Sequence, residues 1–283
     1  MNIQTPLSEI GRREFIHLGI GAGFALAVSP AAAWAITTSD EGIVAGPVMI
    51  PTGGKSMPGY RALPKGKGPF PTVVVIQEIF GIHEYIQDVC RRLAREGYFA
   101  VAPSLYFREG DATKIEDISK IVSDIVSKVP QKQVWADLDA TLEWLKTTKS
   151  SDEARIGITG FCWGGGVTWM YSAHQPKIKA AVAWYGKLSG QPTPINSKFP
   201  FDIGATIKTP VLGLYGGQDK GIPQTDVEKM RGLLKQGQSG SEIIVYPDAE
   251  HGFHADYRPS YNEKAAKDGW SRLLAWFKAH GVR

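Results

Sequence analysis

From Pro69 onward the apolar positions switch repeatedly between two periods. Near-continuous apolar runs such as "TVVVIQ" (72–77) suit parallel strands buried on both faces. They alternate with helical spacing. In "HEYIQDVCRRLAREG", Ile86, Val89, Cys90, Leu93 and Ala94 fall on one face before Gly97 stops the helix. The same reading predicts strands at "YFAVAP", "RIGITG", "IKAAVAWYG" and "PVLGLYGGQD", and a strand and loop at "SEIIVYPDAEHGF". Helices are predicted over about 114–146, in "GGGVTWMYSAHQ", in "TDVEKMRGLLKQG" and over 261–279. Residues 43–62 read as an antiparallel lead-in that turns at Gly53-Gly54.

Strand–helix alternation predicts an α/β fold with a doubly wound, mostly parallel sheet, because parallel strands need crossovers. No linker-like stretch divides the chain, so a single domain is expected over 36–283. The least regular stretch, 186–209, follows a strand and is expected at a pocket edge.

Composition changes this picture little. The 283 residues are 43% hydrophobic and 21% charged, and the formal charge of +4 comes from scattered lysines and arginines. Scattered basic residues do not make a nucleic-acid surface.

The first 35 residues stand apart. Arg12-Arg13 precede an apolar stretch from Ile16 to Val28, and "AAWA" supplies an A-x-A cleavage pattern ending at Ala35. This layout predicts a secretory signal over 1–35. With Phe15 two residues after the pair, it resembles a twin-arginine signal, implying the twin-arginine export machinery and a periplasmic mature protein. The apolar run falls short of the ~20 residues of a membrane span, so no stable anchor is expected after cleavage. Cys90 and Cys162, the two cysteines, make no disulfide framework for a domain of this size.

In doubly wound sheets, ligands bind at the carboxyl ends of the strands. Four reactive residues fall there: Glu78, Cys162, Asp219 and His251. Cys162 lies in "ITGFCWGGG", where a strand must turn sharply into a helix. Gly160, Gly164 and Gly165 relieve crowding around an exposed apex, as in a nucleophile elbow. The amide of Trp163 then points into the site at a helix N-terminus, whose positive potential favours an anion and a thiolate. Alone, this pattern also fits a buried structural cysteine. The partners shift the balance. His251, past the last predicted strand, can take the thiol proton, and Asp219, ending "YGGQD", can orient the imidazole. The chain order is nucleophile, acid, histidine.

Together "GFCWGGG", "VVVIQEIFGI", "VAPSLYFR", "YGGQD" and "AEHGF" resemble the dienelactone hydrolases (carboxymethylenebutenolidases), cysteine-dependent members of the α/β-hydrolase fold. The resemblance runs from about Ile43 to the C-terminus. It implies a Cys162–His251–Asp219 triad acting on a small ester or lactone without a cofactor. It also implies that Glu78 modulates the cysteine's protonation, and that the Ile79 amide joins the Trp163 amide in an oxyanion hole. Arg108 matches the family arginine that binds a substrate carboxylate, although Ser104 replaces the usual Asp nearby. The chain departs from the catabolic members at Ala255, where they carry a second arginine; Arg258 follows three residues later.

The remaining candidates have plainer readings. Cys90 is expected in the core, His83 as a polar helix-start residue, His254 as a loop residue, and His174 and His280 as helix-end surface residues. Tyr185, with Trp184, ends a strand and fits either a substrate-pocket wall or the core. No histidine is spaced with Asp, Glu or Cys in a way that demands a metal. A broad-specificity carboxylesterase and a non-catalytic binding protein on the same fold remain open. A thiol redox role lacks the C-x-x-C pair.

Overall fold

A computed structural model describes residues 35–283; the signal reading, with Arg12-Arg13 and the stretch from Ile16 to Val28, lies outside the described residues. One eight-stranded sheet organises the rest, in the order β1-β2-β4-β3-β5-β6-β7-β8. β1 (Ile43–Thr52) and β2 (Lys55–Pro64) form an antiparallel hairpin. Its two-residue turn is Gly53 (φ +52°) and Gly54 (φ +74°), the positive-φ pair that a tight hairpin needs. β2 then pairs antiparallel with β4 (Phe99–Pro103).

All other pairings are parallel, through β3 (Phe70–Ile76), β5 (Ser151–Phe161), β6 (Ile178–Trp184), β7 (Val211–Gly216) and β8 (Glu242–Tyr246). Residues Thr72–Ile76 and all of β4 are buried, which is why these stretches read as unbroken apolar runs.

Four helices lie in the connections between strands, α1 (Glu84–Arg95), α2 (Gln131–Thr147), α3 (Trp163–His174) and α4 (Gln224–Gln236), and a fifth, α5 (Glu263–Ala279), follows β8. The alternation along β7 shows that they cover both faces. Tyr215 accepts a hydrogen bond from Trp169 of α3 at 3.0 Å. Its neighbour Leu214 points the other way, to α5, where a methyl at Gly269 would lie 3.4 Å from Leu214 and 2.6 Å from Trp184. Among the described residues, no helix is long and apolar enough to cross a membrane.

One predicted element is corrected. The single helix expected over 114–146 is instead a series of short helical turns between Ala112 and Lys128, followed by α2. Pro130 makes the break. Its preceding residue, Val129, is extended (φ −81°, ψ +111°), as the proline ring demands.

Candidate active site

At the carboxyl end of β5 the chain turns into α3 through Cys162, at φ +56° and ψ −116°. A non-glycine residue there is strained and persists only where its surroundings over-determine it. The glycines permit the close approach that does so. A Cβ on Gly160 would lie 2.4 Å from the Gly164 carbonyl oxygen, and one on Gly164 would lie 2.5 Å from the carbonyl oxygens of Ile76 and Gln77. The start of α3 is thereby pressed against the end of β3, beside the turn that carries Glu78 and Ile79 and closes at Gly81. Trp163 is the first residue of α3, and its ring packs on Tyr106 at 4.9 Å.

The loops after β7 and β8 bring in the partners. Nδ1 of His251 lies 2.7 Å from Oδ2 of Asp219, whose Oδ1 accepts from the Gly221 amide at 2.8 Å. The side chains of His251 and Cys162 are within hydrogen-bonding reach of each other. Burial works against a charged imidazole here, but the Cys162 sulfur and the hydrogen bonds to Asp219 and Cys162 raise the His251 pKa to about 10. Tyr185, at φ +37°, packs edge-on against His251 with ring centroids 5.2 Å apart. It is completely buried, so it supports the imidazole and offers no surface to a substrate.

Glu78, completely buried, sits in a polar cluster with little signal in the sequence. Its Oε1 accepts from Arg258 Nη2 at 3.0 Å, its Oε2 accepts from the Tyr257 hydroxyl at 2.7 Å, and His83 Nε2 lies 3.3 Å from Oε2. Burial alone would push this carboxyl up, but Arg258, His83 and Tyr257 hold it down at about 2. Arg258 also lies close enough to Cys162 for the two to interact electrostatically. The one available sequence signal was position: 257–258 follow β8 at the same sheet edge as Glu78.

Arg108 meets a different fate from the expected carboxylate clamp. Nη1 and Nη2 donate to Asp137 at 2.5 and 2.8 Å, and the guanidinium stacks over Phe107 at 4.2 Å. Asp137 is buried and needs that charge, so both forks of the guanidinium are engaged. His254, expected in a loop, is buried with Nδ1 2.6 Å from the Tyr85 hydroxyl, and burial lowers its pKa to about 3. Cys90 is in the core, and burial pushes its thiol up. Among the described residues, no group of three or more His, Cys, Asp or Glu side chains could hold a metal.

The chain has known relatives. Residues 57–281 match the Dienelactone hydrolase family. The chain belongs to that family. A Methylorubrum extorquens relative, provisionally described as a carboxymethylenebutenolidase, is 52% identical over 280 residues, covering 99% of this chain and 95% of its own length. An Escherichia coli K12 relative with the same provisional description is 55% identical over 261 residues, covering 92% and 96%. The crystal structure of a provisionally described dienelactone hydrolase from Klebsiella pneumoniae superposes with a TM-score of 0.81 at 54% identity, covering 83% of this chain and 98% of that one. As a member of this family the chain is an α/β-fold hydrolase of small esters or lactones.

Proposed function

We propose that this dienelactone hydrolase-family member cleaves an activated ester or lactone through nucleophilic attack by Cys162. The observation that carries the reading is the strained Cys162 elbow with His251 within reach of its sulfur and Asp219 2.7 Å behind the imidazole. The sulfur attacks the acyl carbon while His251 holds the thiol proton. Asp219 fixes the imidazole tautomer and stabilises the imidazolium. The Ile79 and Trp163 amides receive the developing oxyanion. Collapse breaks the acyl–oxygen bond, and the leaving oxygen takes the proton from His251. Water, deprotonated by His251, then cleaves the thioester, releasing the acid and restoring the thiol.

A thiolate is a weak match for esters of poor leaving groups, so enol esters, enol lactones and aryl esters are the expected substrate class. A Bradyrhizobium relative, 31% identical over 236 residues, is described as a probable 2-oxo-3-(5-oxofuran-2-ylidene)propanoate lactonase, which supports an enol-lactone substrate. A broad carboxylesterase is the second reading. It is favoured by Ala255 and by the Arg108–Asp137 pair, which leave the expected carboxylate-binding guanidinium groups missing or engaged. Steady-state kinetics on matched neutral and carboxylate-bearing aryl esters and enol lactones test both. Selectivity for acidic enol lactones supports the first reading, and equal kcat/KM across the panel supports the second. Cys162→Ala retaining full turnover overturns either.

The same proposal includes export. Residues 1–35 would serve as a twin-arginine leader cleaved after Ala35, with the mature enzyme working in the periplasm. Fractionation of cells with an intact and an inactivated twin-arginine pathway tests it.

A further inference from the structure

Beside the triad, the segments that follow β6 and β7 form a cavity of about 460 Å³ whose lining includes Lys187, Ser189, Gly221 and Asp226. The cavity adjoins the triad from two directions. Gly221 is the residue whose amide donates to Oδ1 of Asp219 at 2.8 Å. Tyr185, two residues before Lys187, is the ring that packs on His251. The elbow is close as well: a Cβ on Gly166, in the first turn of α3, would lie 3.4 Å from the Lys187 carbonyl oxygen.

The backbone that carries Lys187 is fixed on both sides, although the side chain is exposed. Gly186 accepts from the Tyr215 hydroxyl at 3.0 Å. A Cβ on Gly186 would lie 2.3 Å from backbone atoms of Gly165 and Gly166, so this residue is locked against the start of α3. On the other side Leu188 is buried, and its carbonyl accepts from the Phe201 amide at 3.1 Å. A lysine rooted this way brings a compact charge to the cavity and has only its own stem left to order. Among the described residues, no carboxylate pairs with it. Asp226, the acid on the same lining, accepts from Ser189 Oγ at 2.7 Å. It also stands in the first turn of α4, whose amide dipoles offset its charge.

The guanidinium groups around the site are already engaged, Arg108 by Asp137 and Arg258 by Glu78, and position 255 is an alanine. We propose that Lys187 binds the carboxylate of an acid-bearing substrate, the role that the resemblance assigns to Arg108. The scissile carbonyl then sits at Cys162 and the acid extends into the cavity. The inference rests on the acid-selective reading above, because a neutral ester gives Lys187 nothing to hold. An ammonium is a point charge without the fixed fork of a guanidinium, so it accepts acids at more than one position on the substrate.

The test compares the full chain with Lys187→Met and Lys187→Arg on 3- and 4-acetoxybenzoate and their methyl esters. Lys187→Met is expected to lower the ratio of kcat/KM for acid over methyl ester about tenfold for both isomers, through KM. Lys187→Arg should keep most of that ratio. Added salt should lower the ratio in the parent and leave it flat in Lys187→Met. Calorimetry with 4-acetamidobenzoate, the amide counterpart, reads binding without turnover and should show a similar loss in Lys187→Met. Amide binding that Lys187→Met leaves unmoved overturns the assignment of Lys187, whatever the parent cleaves, and an unmoved ratio does the same. A parent that cleaves none of these esters, with amide binding still lost in Lys187→Met, overturns the nucleophile reading and keeps Lys187 as the acid-binding residue.

Discussion

Arg258 and Glu78 are 180 positions apart in sequence bonding terms yet form a buried ion pair, Nη2 to Oε1 at 3.0 Å, next to the Cys162 elbow. The pair holds the turn that presents Ile79, and Tyr257 and His83 fill the other carboxylate oxygen. Removing one partner leaves a charge buried alone. Glu78→Gln is therefore expected to lose about 3–5 kcal/mol of stability. Urea denaturation measures it, and the Glu78→Gln/Arg258→Met double variant should recover much of the loss. A fully stable single variant would show that the pair does not hold the turn.

The same carboxylate sets an acid limit. Its folded pKa of about 2 lies below its ordinary value of 4.5. Its contribution is thus complete above pH 4.5 and is lost as the pH falls through about 2. Glu78→Gln should remove that part of the acid-unfolding profile, followed by circular dichroism.

His251 behaves in the opposite sense. Its folded pKa of about 10 lies above 6.5, so its stabilisation is complete below pH 6.5 and is lost as the pH rises through 10. Cys162 is the leading cause of the rise, ahead of Asp219. Cys162→Ala should therefore lower the imidazole pKa, read by NMR titration of the ring protons. An unmoved titration would mean that sulfur and imidazole do not share a proton.

Asp219→Asn preserves shape but not charge. With Nδ1 of His251 2.7 Å away, the amide favours the wrong imidazole tautomer. We expect kcat/KM for an aryl ester to fall by about 10²–10⁴ with little change in Tm.

Glycine replacements should separate crowded from open sites. Gly164→Ala places a methyl 2.5 Å from two backbone carbonyl oxygens that cannot yield, and is expected to cost more than about 2 kcal/mol and most of the activity. Gly232→Ala, on the exposed side of α4 with nothing within 4 Å, should stabilise by about 0.5–1 kcal/mol. Thermal unfolding of both variants is the measurement.

Arg108→Ala tests a role that sequence and structure describe differently. Because both guanidinium forks rest on buried Asp137, the expected outcome is a lower Tm. KM for a carboxylate-bearing ester should stay near that of the parent. A large rise in that KM with unchanged Tm would restore the clamp.

The sequence by itself determined the alternating strands and helices, the hairpin at Gly53-Gly54 and the elbow glycines around Cys162. Each of these is written in local period or in residues with special backbone freedom, so neighbours in sequence suffice to read them. It also put Glu78, Cys162, Asp219 and His251 at strand ends, because a parallel sheet sends all such ends to one edge. The break at Pro130 was local too, but the apolar pattern on either side of it masked the proline. Only the tertiary structure decided who pairs with whom. Nothing near Arg108 announces Asp137, and nothing near Glu78 announces Arg258. Such partnerships follow from burial, since a charge taken out of water must find its complement wherever the fold brings one. Likewise His254 became a neutral core residue and Tyr185 a buried support for His251 because packing around them excludes water.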